Sequence, residues 1–376
     1  MLYEKSTYTI GYCPGGGIGI HTRLRAVALA HAGSTPALGT SDLKKGKDTW
    51  NAWVFFFFVS FSDILPLMTI FTAALIFIGS LVLLTKASDW LLYSAERIGL
   101  RFGMSPFLVG VTIVAFGTSL PELISSFVAV QQGLPDVVAG NAIGSNIANI
   151  LLVLGVAAVI GKKLEVSKNL IDLDLPLLAI STGIFYLVVK DGVIVMPEAI
   201  VLLLSYVIYL VYSILYEKNI DDSKVNRPSL NRKDALFLIA GIVGLALGAN
   251  HLIDSISFIA VHFSVAAGLV AVTAVAIGTS LPELLVSVKA AREGKAEVAL
   301  GNIFGSNIFN ALVVGFPGLF ASLPLSPKTL EIGVPVMLLS TALFVISGIS
   351  KRLHPQEGLL YLMMYGVFIA KLFDLF

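Results

Sequence analysis

The chain has 376 residues, 56% hydrophobic and only 13% charged, with a net charge of +1 and a mean hydropathy of +0.89. A soluble globular domain carries about 25% charged residues, so these charges cannot cover a water-facing surface and most of the surface must face lipid. Without basic runs interleaved with aromatics, a nucleic-acid partner is excluded, and the single cysteine, Cys13, excludes an internal disulfide or a CxxC metal site.

Residues 1–67 come first and hold no clean span. Trp53–Leu67 is apolar but is interrupted by Asp63 and Pro66. A signal peptide would carry its apolar core nearer the start. Gly33-Ser34-Thr35-Pro36 is what translation of a transfer-RNA T-arm would give. The expectation is a non-native or disordered leader, with the membrane unit running from residue 68.

A bilayer span needs about 20 mostly apolar residues. Ten such stretches follow, near 69–85, 105–132, 137–160, 171–189, 194–216, 234–252, 265–290, 296–321, 330–349 and 356–376. The longest polar gap, Glu217–Asp234, divides them five and five. The expected organisation is therefore 68–216, a linker 217–233, and 234–376.

The two halves repeat. Residues 115–155 and 276–316 align without a gap at an offset of 161, and 21 of 41 positions are identical. The shared letters include the polar ones: GTSLPEL, then GNxxGSNxxN. Five spans per half is an odd number, so the second half enters the membrane from the opposite side. That is the inverted-repeat plan of many secondary transporters, whose sites lie at the midplane between halves. Orientation follows from basic residues. Beyond residue 67, sixteen Lys and Arg fall after spans 1, 3, 5, 7 and 9, and three fall on the opposite side. The sixteen belong in the cytoplasm, which leaves both ends of the ten-helix unit outside a cell (inner) membrane.

Glu122 and Glu283 sit mid-span at equivalent positions. A carboxylate at bilayer depth costs about 3 kcal/mol or more and marks ion paths. Pro121 and Pro282 lack a backbone N–H and clash with the preceding turn. The expectation is that helices 2 and 7 break near Gly117 and Gly278. The freed carbonyls of Ala115, Thr118, Ala276 and Thr279 become candidate ligands, since irregular backbone in a membrane lines cavities. Thr118 and Glu122 are four apart and share a face, as do Thr279 and Glu283. Ser145 with Asn149 and Ser306 with Asn310 repeat that spacing and are read as ligands. Asn141, Asn146, Asn302 and Asn307 are read as helix-packing amides. Gly140 with Gly144, and Gly301 with Gly305, have the small-xxx-small spacing of close helix approach. The inventory is all oxygen, which suits Ca²⁺ and Na⁺ and disfavours zinc or copper.

These paired GTSLPEL and GSNIxN motifs resemble the cation/calcium exchanger superfamily, specifically its prokaryotic sodium/calcium exchanger-like branch, over the whole of residues 68–376. The resemblance implies an all-α membrane protein in which two inverted repeats build a four-helix site. It implies ligand roles for Glu122, Glu283, Thr118, Ser119, Thr279, Ser280, Ser145, Asn149, Ser306 and Asn310, and carbonyl ligation by Ala115 and Ala276. The metal site proper would be Glu122, Glu283, Thr118 and Thr279. Many relatives, including potassium-dependent ones, have Asp where this chain has Asn310. The proton-coupled branch typically has GNxxE where this chain has GTSxPE. The expected function is antiport of Ca²⁺ against Na⁺ by alternating access, independent of K⁺, with Ca²⁺/H⁺ exchange as the alternative. No enzyme constellation, cofactor or obligate protein partner is expected. The partners are Ca²⁺, Na⁺ and the lipid bilayer.

Overall fold

The computed structural model describes residues 69–131, 133–161, 164–165, 174–217, 228–262 and 280–374. The expected leader, most of the expected linker, and the candidate ligands Ala276 and Thr279 lie outside the described residues.

Helix α1, Ile70–Arg101, starts on a reciprocal cap. Thr69 Oγ1 accepts from the Thr72 N–H at 3.2 Å, and Thr72 Oγ1 accepts from the Thr69 N–H at 2.9 Å. Two donors that a helix start leaves open are thereby satisfied. The helix was expected to end near residue 85, yet it continues to Arg101. At 1.5 Å per residue it is about 48 Å long, against about 30 Å of hydrocarbon, so one end projects beyond the lipid core. The charges assigned to a loop are helical and paired there. Asp89 pairs with Lys289, Glu96 with Lys295 at 2.9 Å, and Arg97 with Asp234 at 2.8 Å. Burial pulls the Lys295 ammonium down, but its contacts with Glu293 and Glu96 outweigh this and leave it raised.

Helix α2, Pro106–Gln131, places proline at its first position, where a missing N–H costs nothing. Ser105 Oγ caps it by accepting from the Leu108 N–H at 3.1 Å. The break expected near Gly117 is absent: Ala115–Gln131 is α-helical straight through Pro121. The irregularity lies one turn earlier, in a π-helical turn over Gly110–Val114. Local π adjustments of this kind let a transmembrane helix re-satisfy backbone groups near a proline.

Helix α3, Asp136–Ile160, contains a second π turn, Asn149–Leu154. Then follow β1 (Leu164–Glu165), α4 (Asp174–Val189), β2 (Val193–Ile194), α5 (Met196–Glu217) and α6 (Arg232–His262). The rest is α7 (Leu281–Arg292), α8 (Ala296–Gly318), β3 (Leu323–Pro324), α9 (Thr329–Ile349), β4 (Arg352–Leu353) and α10 (Pro355–Leu372). The chain is a mostly helical membrane protein. Among the described residues, seven helices are long and apolar enough to cross a membrane: α1, α2, α3, α5, α6, α8 and α9. Helix α4 is apolar but has only 16 residues.

The 161-residue offset is legible in the backbone. Shifted by 161, α1 covers 231–262, which is α6, and these two helices pack along each other. Gly133 and Gly294 both have φ of +75°. Each ends its helix with the same pair of bonds: Gly133 N–H to Val130 and Leu134 N–H to Ala129, then Gly294 N–H to Ala291 and Lys295 N–H to Ala290. The left-handed glycine permits this closure at no steric cost. The strands pair crosswise, β1 with β4 and β2 with β3, each antiparallel.

Helix α8 is buried from Val298 to Gly315 and forms the centre. Its glycines make that possible. A Cβ on Gly301 would lie 2.4 Å from Phe107 O, and one on Gly305 would lie 2.2 Å from Val111 O. The backbones of α2 and α8 thus meet almost directly.

Candidate site between two buried glutamates

Glu122 lies one turn beyond Thr118 on α2. Glu283 lies in the first turn of α7, which begins at Leu281 after Ser280, with Pro282 early enough that its absent N–H breaks no bond. Ser119, Thr118, Ser280, Ser306, Asn149, Ser145 and both glutamates are all buried, as are Ala115 and Asn310.

Five residues form one network. Ser119 Oγ donates to Glu283 Oε1 at 2.8 Å and lies 2.9 Å from Ser306 Oγ. Thr118 Oγ1 donates to Asn302 Oδ1 at 3.1 Å and lies 3.4 Å from Ser306 Oγ. The motif of the first half thereby closes onto the carboxylate and helix of the second. Around Glu122 the arrangement differs. Glu122, Ser145 and Asn310 line a cavity of ≈ 20 Å³, together with Leu123, Ser126, Asn141 and Phe309. That volume holds about one water-sized guest.

Many polar atoms here make no hydrogen bond among the described residues: both oxygens of Glu122, Oε2 of Glu283, Oγ of Ser280, both amide atoms of Asn149 and Nδ2 of Asn310. A buried unsatisfied polar group costs about 1–3 kcal/mol, and such groups are rare in native proteins. The oxygens among these groups, those of two carboxylates included, are ligands of the kind a hard cation takes. Among the described residues, no group of three or more His, Cys, Asp or Glu could hold a resident metal ion.

The expected helix-packing amides divide. Asn307 Nδ2 donates to Ile303 O at 2.7 Å, within its own helix. Asn302 links three helices, because its Nδ2 also donates to Ser287 Oγ on α7 at 2.9 Å. Asn302 and Ser287 were not expected among the site residues. Their signal was present in the repeat, where Ser126 matches Ser287 and Asn141 matches Asn302.

Apolar helices around paired, buried, oxygen-rich motifs mark a multi-pass membrane protein, and the family it matches is one of cation antiporters. The chain belongs to the family described as sodium/calcium exchanger protein, which matches residues 72–215 and 233–373. The sodium/calcium exchanger MaX1 of Methanosarcina acetivorans is 32% identical, over 80% of this chain and 98% of its own length. The inner membrane protein YrbG of Escherichia coli is 31% identical, over 76% of this chain and 90% of its own. Among solved structures, the sodium-calcium exchanger NCX_Mj soaked with zero Na⁺ and Ca²⁺ superposes with a TM-score of 0.70. It is 32% identical, over 81% of this chain and 100% of that one.

Proposed function

We propose that this chain exchanges Ca²⁺ for Na⁺ across the cell membrane by alternating access, without K⁺. The observation that carries this reading is the pair of buried glutamates, with both oxygens of Glu122 and Oε2 of Glu283 unpartnered, set among hydroxyl and amide side chains of the repeated motif. The proposed ligands are Glu122, Glu283, Thr118, Ser119, Thr279, Ser280, Ser145, Asn149, Ser306 and Asn310, with the carbonyls of Ala115 and Ala276. One Ca²⁺ balances the two carboxylates. Several Na⁺ compete for the same oxygens, so the two ions exclude each other. An unfilled pair of like charges is costly in low dielectric, which disfavours rocking without a bound ion and makes the exchange obligatory.

The proposed architecture is ten spans in two inverted five-helix halves, 68–216 and 234–376, joined by the 217–233 linker. The division of the family match at 215 and 233 supports this. So does the crosswise strand pairing, which joins the α3–α4 connection to the α9–α10 connection and the α4–α5 connection to the α8–α9 connection. In the proposed orientation the first pair faces the cytoplasm and both ends of the unit face outward. The relative MaX1 supports the ion assignment, being a sodium/calcium exchanger. The test is Ca²⁺ uptake into proteoliposomes driven by an imposed Na⁺ gradient, with K⁺ and pH varied independently. Uptake driven by a proton gradient in the absence of Na⁺ would replace this reading with Ca²⁺/H⁺ exchange.

A further inference from the structure

A cation accepts only lone pairs. A hydroxyl that serves as its ligand must therefore send its own hydrogen elsewhere, or that hydrogen points at the ion. Thr118 has one hydroxyl hydrogen and, within 3.5 Å, the oxygens Asn302 Oδ1 at 3.1 Å, Ala115 O at 3.3 Å and Ser306 Oγ at 3.4 Å, with the Glu283 carboxylate as a more distant acceptor. The nearest, Asn302 Oδ1, has no hydrogen of its own and can only accept. The other end of the same amide is engaged, since Nδ2 donates to Ser287 Oγ at 2.9 Å. Asn302, Ser287 and Thr118 are each fully buried, so water does not compete for these bonds. The relay Thr118–Asn302–Ser287 joins α2, α8 and α7.

We propose that Asn302 is a positioning residue for the cation site. Its amide oxygen takes the Thr118 hydroxyl hydrogen and leaves that hydroxyl's lone pairs for the ion, while Ser287 Oγ accepts from the amide's other end and anchors it. This rests on the reading of Thr118 as an ion ligand. A flipped amide would aim an N–H at Thr118, and the threonine hydrogen would turn toward Ala115 O or the ion. Loss of the amide has the same result. Ala115 O is itself a proposed ligand, so a hydrogen placed on it weakens that carbonyl, and one turned to the ion weakens Thr118. Outer-shell partners of metal ligands act in this way generally, and their removal lowers metal affinity about 10- to 100-fold.

The experiment uses the full chain in proteoliposomes and separates KM from maximal rate for Na⁺-driven Ca²⁺ uptake. It compares the unmutated protein with Asn302→Leu, Thr118→Val and the double variant. Asn302→Leu is expected to raise KM for Ca²⁺ by about 10- to 100-fold with a smaller change in maximal rate. Thr118→Val is expected to raise it comparably, and the double variant to be no worse than Thr118→Val. Ser287→Ala, a small change that folds even where Asn302→Leu does not, is expected to shift KM in the same direction and to lose that effect in the Thr118→Val background. Additive effects, or a change in maximal rate alone, overturn the proposal and make Asn302 a packing amide. If Thr118→Val leaves KM unchanged, the ligand reading of Thr118 fails and takes this inference with it. That result is distinct from Thr118→Val raising KM while neither Asn302→Leu nor Ser287→Ala does, which overturns the positioning role alone.

Discussion

Gly305→Ala adds a single methyl group where α8 meets α2. Built on the existing backbone, its Cβ would lie 2.2 Å from Val111 O, 2.6 Å from Ala115 Cβ and 2.8 Å from Val111 C. Unstrained contacts of this type are about 3.4–4 Å, and two of the three atoms are backbone, so no rotamer change relieves the clash. The helices have to separate by about 1 Å, and overpacking of this kind costs about 1–3 kcal/mol. The separation also displaces Ala115 and, next along α8, Ser306, which touches Ser119 at 2.9 Å. The expected outcome is a melting temperature several degrees lower in detergent, with a raised KM for Ca²⁺ in proteoliposomes. Gly79→Ala is the control, because nothing lies within 4 Å of a Cβ there and alanine is favoured over glycine inside a helix by about 1 kcal/mol. It should be neutral or stabilising. Unchanged melting and unchanged KM in Gly305→Ala would refute the close α2–α8 seam and the transmission of its strain to the site.

Glu122→Gln and Glu283→Gln each remove half of the fixed negative charge, so Ca²⁺ flux should be lost in both while the proteins still elute as monodisperse species; normal flux in either would remove that carboxylate from the site. Na⁺-driven Ca²⁺ uptake should proceed in K⁺-free buffer, because Asn149 and Asn310 are neutral and a further monovalent ion beside Ca²⁺ would leave a buried net positive charge. Asn310→Asp should make uptake sensitive to K⁺ or pH, whereas an absolute K⁺ requirement in the unmutated protein defeats the charge-balance argument. A cysteine placed in the 217–233 linker should resist an impermeant thiol reagent in intact cells, and labelling from outside would invert the proposed topology.

Composition, the ten apolar stretches and the offset of 161 are properties of the chain read locally, so the sequence by itself determined the membrane class, the duplicated motif and the burial of Glu122 and Glu283. Hydropathy requires only that twenty or so residues be apolar, and a mid-span carboxylate stands out against them whatever its neighbours are. What depends on a partner distant in sequence had to wait for the tertiary structure. The length of α1 is one case: Asp89, Glu96 and Arg97 look like the end of a span until Lys289, Lys295 and Asp234 are seen to pair with them. The course of α2 is another. A proline inside a span reads as a break, yet the helix passes through Pro121 and places its irregularity in the preceding π turn. The contact of Ser119 with Glu283, 164 residues apart, and the engagement of Asn302 by Thr118, 184 apart, are the last. Sequence periodicity tells which side chains share a helix face, but a hydrogen bond is specific to about 3 Å, and only the packing of α2, α7 and α8 around the glycines of α8 brings those atoms within that range.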